Sequence, residues 1–335
     1  MPGTAVHLDS VDDYLGPAEK RFFGAGFRRV EYDYQPVSVR SLADGSVMLH
    51  TLLGVAYPAD WSRKGRSADL RPHLSTVDGL ITAVQLSELT LTHSFGLSAA
   101  DRRRMLVRSV RIKAGTTPDE ELGRLQVTTR LLTSVTDPAA LNGQSSVLET
   151  RLGGMRVRCE IDHAAVGRPL GRSVGRARYA GPDSLLGPAE ERYYGTGFAR
   201  QAHALRRVLV EPERLRAEAG VHIARAGLVA DQGIEGRYQP FLGMVDSFVV
   251  SLQLGQVLLY ELDGTERGAS NTLWMRGTEI VAAPVPQVCS DGAAAVTRLE
   301  NAQLLERPDG VWRTADVVGV LGGVTTRCSV THRLP

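Results

Sequence analysis

The chain contains an internal repeat, and this feature limits its possible folds more than any other. LLGPAEERYYGTGFAR at 185–200 resembles YLGPAEKRFFGAGFRR at 14–29, an offset of 171 residues. Two further pairs keep nearly the same offset: RPHLSTVDGLITAVQL at 71–86 with QPFLGMVDSFVVSLQL at 239–254, and LGGMRVRCEIDH at 152–163 with LGGVTTRCSVTH at 321–332. One unit of about 165 residues therefore occurs twice, which indicates a duplication and not a long repeat array.

Size and charge fit an ordinary globular protein. The 335 residues can form two domain-sized cores, and a net charge of +2 does not indicate a nucleic-acid or membrane partner. Neither an 18-residue apolar run nor a signal segment is visible, which predicts a cytoplasmic protein. Three cysteines without close spacing argue against a disulfide framework or a zinc site. Neither a Walker loop nor a zinc signature is present, and no metal or cofactor is expected. We expect Cys159, Cys289 and Cys328 to be small buried residues.

The second repeated block predicts a buried helix in each half. In the first half it covers about 73–87, and apolar residues occupy most of its circumference. The second half repeats this pattern from Leu242 to Leu252. We therefore predict almost complete burial for Val77, Ile81, Val84, Val245, Val249 and Leu252.

Strand patterns surround each helix. They cover 37–42, 46–53, 88–93, 104–113, 124–135 and 146–161 in the first half, and 256–262, 271–282, 295–305 and 311–331 in the second. A long helix followed by antiparallel strands is typical of a hot-dog unit. We predict an α+β tandem (double) hot-dog, in which a curved antiparallel sheet wraps a long buried helix in each half. The repeats would span 1–170 and 171–335, with their sheets joined. Two independent α+β domains are the alternative, which the lack of a flexible linker disfavours.

Each half opens with Gly-Pro-Ala-Glu, an aromatic pair and Gly-x-Gly. A dinucleotide fingerprint would need a preceding strand and a third glycine, and both are missing. This motif therefore predicts a packing corner and not a phosphate site.

Each buried helix carries one acid, Asp78 or Asp246, at equivalent positions. Gln85 and Gln253 follow seven residues later, about two turns on, and so share a helix face with the acids. A buried carboxylate is costly unless it is hydrogen-bonded, and burial raises its pKa. Two interpretations remain open: a general acid or base with an orienting, substrate-binding amide, and a structural acid that caps a neighbouring segment.

The histidines differ between the halves. His50, His73 and His93 occur only in the first half, where the second has Ala224, Phe241 and Glu261. We therefore favour a working site built on Asp78 in an elongated, mostly apolar pocket, with the second half degenerate or supplying a wall.

Two equivalent arginines, Arg108 and Arg276, lie within apolar strand patterns. Two roles are open for them: pairing with the helix acid, or binding an anionic group of the substrate.

The opening motif DDYLGPAEKRFFGAGFRR resembles that of the AvrD family, bacterial proteins tied to the synthesis of syringolide-type acyl glycoside elicitors. The resemblance implies a biosynthetic enzyme that joins a β-ketoacyl chain from a thioester carrier to a pentulose, followed by ring closure. The partners would be an acyl-carrier or coenzyme A thioester and a small sugar, and a homodimer is possible. The expected layout is also similar to that of AfsA-type butyrolactone synthases and polyketide dehydratases.

The dehydratase pattern is incomplete in this chain. His50, Gly54 and Pro58 are one residue short of the family's loop spacing, and Gln239 stands where that family has a histidine before Pro240. Condensation is therefore the favoured activity. A 3-hydroxyacyl thioester dehydratase or hydratase, and a non-catalytic protein that binds an acyl or lactone signal, are the alternatives.

Overall fold

A computed structural model describes residues 5–42, 46–61, 71–164, 175–270, 273–288 and 290–335. Within these residues the fold is dominated by one large antiparallel sheet of 15 strands. Its strands are β1 Val6–Ser10, β2 Glu31–Tyr34, β3 Val37–Ser41, β4 Val47–Ala56, β5 Leu106–Lys113, β6 Leu125–Thr136, β7 Gly143–Leu152, β8 Met155–Ala164, β9 Gly175–Tyr179, β10 Gln201–Glu211, β11 Arg216–Arg225, β12 Trp274–Ala282, β13 Ala293–Arg307, β14 Gly310–Leu321 and β15 Val324–Arg333.

Strands of the two repeats are hydrogen-bonded into the same sheet. The order is β1-β10-β11-β13-β14-β15-β12-β5-β8-β7-β6-β4-β3-β9, and β2 pairs with β4. β5 and β12 join the halves, with Ile112 opposite Thr278. The end strands are exchanged: β1 from the start of the chain pairs with β10, whereas β9 pairs with β3. The repeat boundary expected between 170 and 171 lies outside the described residues.

Five α-helices are described: α1 Asp12–Leu15, α2 Thr76–Phe95, α3 Ala99–Arg104, α4 Asp183–Leu186 and α5 Met244–Asp263. The long ones, α2 and α5, have 20 residues each. α2 packs on β4 to β8, and α5 packs mainly on β13, β14 and β15. Gly96 and Gly264 end them in the left-handed conformation, which glycine adopts without strain. None of the described helices is long and apolar enough to cross a membrane.

Both long helices extend further than the sequence pattern indicated. The strands predicted at 88–93 and 256–262 are wrong, because these residues form the last turns of α2 and α5. Thr90, Thr92 and Ser94 gave α2 a strand-like pattern, yet each hydroxyl bonds a carbonyl four residues earlier in the helix. The predicted segments 146–161 and 311–331 are each two strands joined by a tight turn.

The predicted core positions of the long helices are confirmed. Val77, Ile81, Val84, Val245, Val249 and Leu252 are all at most 1% exposed. Cys159 and Cys328 are buried and free, as expected, and Cys289 lies outside the described residues.

The Gly-x-Gly motif of each half is a close packing corner. A Cβ on Gly24 would lie 2.4 Å from the Ala18 carbonyl oxygen, and one on Gly195 would lie 2.2 Å from that of Ala189. Because backbone atoms cannot yield as a flexible side chain can, only glycine fits at these two positions.

Candidate functional site

A cavity of about 610 Å³ lies between the start of α2 and strands of the second half. Its apolar part is rich in aromatic rings. All three tryptophans of the chain line it, together with two phenylalanines from the first repeated motif: Phe22, Phe23, Trp61, Trp274 and Trp312. These rings form a wall that suits an apolar or flat ligand group.

The charged side chains that line the cavity are mostly cations. Five basic side chains line the cavity, Arg21, Lys113, Arg267, Arg276 and Arg307, against a single carboxylate, Asp119. That carboxylate already accepts a 2.9 Å hydrogen bond from the backbone N–H of Gly154. The cavity therefore combines an aromatic wall with an excess of positive charge.

Two of the residues selected from sequence, His73 and Arg276, line this cavity. The His73 ring stacks on Trp274 with centroids 5.5 Å apart and meets Trp61 edge-on at 6.2 Å. It is only partly buried, so a ligand in the cavity can reach it. The two aromatic contacts favour this orientation of the imidazole.

Asp78 caps α2 beside the cavity instead of lining it. Its carboxylate accepts hydrogen bonds from the Ser75 N–H and hydroxyl, both at 2.8 Å, from the Tyr32 hydroxyl at 2.7 Å and from the Tyr57 hydroxyl. Burial raises the pKa of Asp78, and the bonds from Tyr57 and Ser75 oppose that rise. Ser75 and Thr76, at the helix start, line the cavity in its place.

Asp246 occupies the corresponding position at the start of α5. It accepts hydrogen bonds from the Gly243 N–H at 2.8 Å and the Tyr193 hydroxyl at 3.2 Å, and its other oxygen lies 2.7 Å from His203 Nε2. We did not identify His203 from sequence. It lies 171 residues after Tyr32, so the repeat offset places both residues at the same position against the helix acid.

The second half has a nearly closed counterpart of the cavity. Leu242, Gly243 and Met244 replace Leu74, Ser75 and Thr76, and only about 10 Å³ remains. Phe241, the counterpart of His73, lines it. Glu235 also lines it and is fixed by the Val107 N–H and the Tyr194 hydroxyl, each at 3.0 Å. Burial raises the pKa of Glu235 to about 7.

The two glutamines bind arginines of the opposite half. Arg192 donates to Gln85 Oε1 at 3.1 Å, and Arg21 donates to Gln253 Oε1 at 2.7 Å. Arg21 and Arg192 are themselves equivalent in the repeat, so the contacts are reciprocal. Arg21 also lines the cavity, so its bond to Gln253 links the cavity to α5.

The remaining candidates lie elsewhere. His50 is exposed on β4. His93 contacts the Tyr179 hydroxyl at 2.9 Å, 15 residues and therefore about 22 Å along α2 from Asp78. Arg108 pairs with Asp162 on β8 at 3.3 Å and does not pair with a helix acid. In the described part of the chain, no cluster of three or more acidic, histidine or cysteine side chains could hold a metal ion.

A family model described as "Pseudomonas avirulence D protein (AvrD)" matches residues 6–335. No curated protein sequence matches the chain significantly. Three solved structures illustrate its structural similarities. A tesB protein from Mycobacterium avium subspecies paratuberculosis is 10% identical, with a TM-score of 0.40 and coverage of 86% of this chain and 93% of that one.

The second structure is the dehydratase domain of PpsC from Mycobacterium tuberculosis in complex with C12:1-CoA (12% identity, TM-score 0.38, 89% and 97% coverage). The third is a conserved protein of unknown function with a hot dog fold from Alicyclobacillus acidocaldarius (11% identity, TM-score 0.36, 88% and 96% coverage). TM-scores this low indicate loose similarity, and no functional conclusion follows from these structures.

Proposed function

Because the chain belongs to the AvrD family, whose model matches residues 6–335, we propose that it is a biosynthetic enzyme acting on acyl thioesters. The reaction proposed is condensation of a β-ketoacyl thioester with a small sugar or polyol, which gives an acyl glycoside or lactone-type signal. The donor would be an acyl-carrier or coenzyme A thioester.

We interpret the architecture as two hot-dog units, 1–170 and 171–335. The internal repeat supports this interpretation, as does the presence of one 20-residue helix against antiparallel strands in each half. The exchange of β1 and β9 between the halves fits a duplicated unit whose copies share one sheet.

The observation that carries the proposal is the difference between the two helix starts. The start of α2 faces a cavity of about 610 Å³, whereas the start of α5 faces about 10 Å³. At equivalent positions the open side has His73 and the closed side has Phe241. We infer that the first half holds the working site and that β12, β13, β14 and β15 supply its far wall.

His73 is the general base of the proposed reaction. It would take the proton from an acceptor hydroxyl as that oxygen attacks the thioester carbonyl carbon, forming the C–O bond. The C–S bond then breaks, and the thiolate leaves with the proton that His73 returns. The N-terminal end of α2 lines the cavity through Ser75 and Thr76, and the helix dipole there would favour the negative charge that develops on the carbonyl oxygen.

Asp78 acts in this scheme as a positioning residue. Its bonds to Ser75 hold the first turn of α2, and its bond from Tyr57 holds the segment that precedes Trp61. In the closed half, Asp246 likewise holds the start of α5 through the Gly243 N–H, and His203 and Tyr193 are its other partners.

The direct test supplies the protein with a β-ketoacyl thioester and a pentulose, and separately with a 3-hydroxyacyl thioester, with products followed by mass spectrometry. The proposal requires a product whose mass contains both the acyl chain and the sugar, with release of free thiol. Loss of water from the 3-hydroxyacyl substrate without sugar dependence would instead identify a dehydratase. Binding of acyl thioester without any turnover would identify a non-catalytic acyl-binding protein.

A further inference from the structure

The cavity contains an arginine that has lost the acid its repeat counterpart keeps. In the first half, Arg108 pairs with Asp162 at 3.3 Å, and Asp162 lies on β8 opposite Leu106. In the second half, Thr331 takes the place of Asp162 opposite Trp274, and both Thr331 and Arg276 line the cavity. Arg276 therefore lines the cavity with a threonine at the strand position from which Asp162 pairs with Arg108.

A neighbouring carboxylate is also lost at the second pair of equivalent arginines, Arg21 and Arg192. Glu88, 1% exposed, lies between Arg192 and Arg102 and offsets their charge. Its counterpart near Arg21 is Gln256, which is neutral and lines the cavity. At the large cavity, Thr331 and Gln256 of the second half thus stand where the first half keeps the carboxylates Asp162 and Glu88.

Arg21 also has an unused donor. The Nε of its counterpart Arg192 donates to the Gly187 carbonyl oxygen at 3.1 Å. Arg21 is 3% exposed, and within the described residues its Nε is buried without a hydrogen-bond partner. A buried guanidinium N–H without an acceptor is costly, and an anion in the adjoining cavity would remove that cost.

From these substitutions we propose that the cavity binds a phosphate ester, with Arg276 and Arg21 as its principal contacts and Lys113 and Arg307 at its edge. Neither Lys113 nor Arg307 forms an ion pair with any described residue, although Arg307 lies over the Trp312 ring at 5.6 Å. A phosphate accepts several charge-assisted hydrogen bonds at once and matches the planar donors of arginine. Arg21 already pairs with Asp12, and a singly charged carboxylate ligand would compensate fewer of the other cations than a phosphate does.

This inference rests on the proposed function and deepens it, because two reactants can carry the phosphate ester. One is the thioester carrier, through its phosphopantetheine arm, and the other is a phosphorylated sugar. The tryptophan wall next to the cations fits either an extended pantetheine arm or a flat sugar ring. The shared chemistry is a phosphate monoester or diester.

The test measures binding of four probes by calorimetry: pantetheine, 4′-phosphopantetheine, a pentulose and its 5-phosphate. The variants are Arg276→Ala, which removes the cation, and Thr331→Asp, which restores the acid found beside Arg108. Arg298→Ala is the matched control, because Arg298 is exposed on β13 and does not line the cavity. Thermal unfolding of each variant verifies that it is folded.

We expect at least one phosphorylated probe to bind about ten- to a hundredfold more tightly than its unphosphorylated partner. Arg276→Ala and Thr331→Asp should each abolish most of that preference, whereas Arg298→Ala should retain it. The pair that shows the preference identifies the source of the phosphate. Equal binding of all pairs, or a preference unaffected in both cavity variants, would overturn the proposal.

Failure of this inference is distinguishable from failure of the proposed function. Condensation in wild type, with no effect of Arg276→Ala on the KM of phosphorylated substrates, would exclude the phosphate subsite and leave the enzyme activity standing. Tight, Arg276-dependent binding without any condensation product would establish the subsite and contradict the proposed reaction.

Discussion

Differences between equivalent residues distinguish the two halves. His73 corresponds to Phe241 in the repeat, Gln256 to Glu88, and Thr331 to Asp162. Each change places a reactive or cationic group in the large cavity, or removes an acid from it. The duplicated acids Asp78 and Asp246, by contrast, both remain in helix caps.

Replacing His73 with phenylalanine tests its proposed role as a base. His73→Phe copies the residue of the closed half and keeps an aromatic ring against Trp274. We expect kcat for condensation to fall by about 10²- to 10⁴-fold, the usual contribution of a general base, with an unchanged melting temperature. His7→Phe, at an exposed position of β1, is the control. Full activity in His73→Phe would exclude the imidazole from the chemistry.

Asp78→Asn should act mainly on stability. The carboxylate accepts from Tyr32, Tyr57 and Ser75, and an amide offers only one acceptor oxygen in the same buried space. We expect a loss of about 1–3 kcal/mol in the free energy of unfolding, measured by urea denaturation. The exposed Asp9→Asn should have no such effect. Unchanged stability together with complete loss of product would instead indicate that Asp78 is a general acid or base, the other role that the sequence left open.

Glu235 should make stability depend on pH. Burial raises its pKa from 4.5 to about 7, so between these values the folded protein holds a proton that the unfolded chain has released. The free energy of unfolding should therefore fall as the pH rises through this window, by up to about 3 kcal/mol from this group alone.

Urea denaturation from pH 4.5 to 8 measures this slope in wild type and Glu235→Gln. The amide does not titrate, so the free energy of unfolding of the variant should change less between pH 4.5 and 7 than that of wild type. Glu306→Gln, at an exposed position of β13, should keep the wild-type slope. Identical slopes in wild type and Glu235→Gln would contradict the raised pKa.

Sequence reasoning identified part of the candidate site. His73 was selected because the second half has no histidine at the equivalent position, and Arg276 because it lies in an apolar strand pattern. Both line the cavity. His203 was missed because its counterpart is a tyrosine, so no histidine pattern marked it. Lys113, Arg307 and the tryptophans were missed because their meeting depends on how the halves pack, which spacing along one chain does not reveal.

At the scale of elements, the helices and most strands were predictable from apolar periodicity. The ends of α2 and α5 were not, because their last turns are largely buried and contain residues that also suit strands, Thr90 and Thr92 in α2 and Val257 and Tyr260 in α5. Burial against the sheet, a tertiary effect, decides the conformation there. The glycines of the first repeated motif were correctly assigned to packing.

Gly195→Ala tests that packing corner. A methyl group would lie 2.2 Å from the Ala189 carbonyl oxygen, so the backbone must shift. We expect a loss of about 1–3 kcal/mol of stability, seen as a lower melting temperature. Gly268→Ala is the matched control, since a methyl group there would have no other atom within 4 Å. Equal melting temperatures of both variants would disprove the close approach.

At the scale of the whole molecule, the halves are joined by more than adjacent sheet edges. The pairing of β5 with β12, the exchanged strands β1 and β9, and the reciprocal bonds of Arg21 and Arg192 all cross between the repeats. The repeat predicted two similar units, but it could not predict the exchange, because a strand pattern identifies a strand and not the strand it pairs with. The cavity exists because of this joining, since both halves line it.

The proposed reaction requires that an acyl thioester binds in the cavity at the start of α2. A crystal structure of the protein with a non-hydrolysable β-ketoacyl phosphopantetheine analogue, in which CH₂ replaces the thioester sulfur, measures this directly. We predict that the analogue carbonyl lies near His73 and Ser75, and that its phosphate lies at Arg276 if calorimetry identifies the carrier as the source of the phosphate. An analogue bound instead beside Asp246 and His203, with the first cavity empty, would contradict the proposed site.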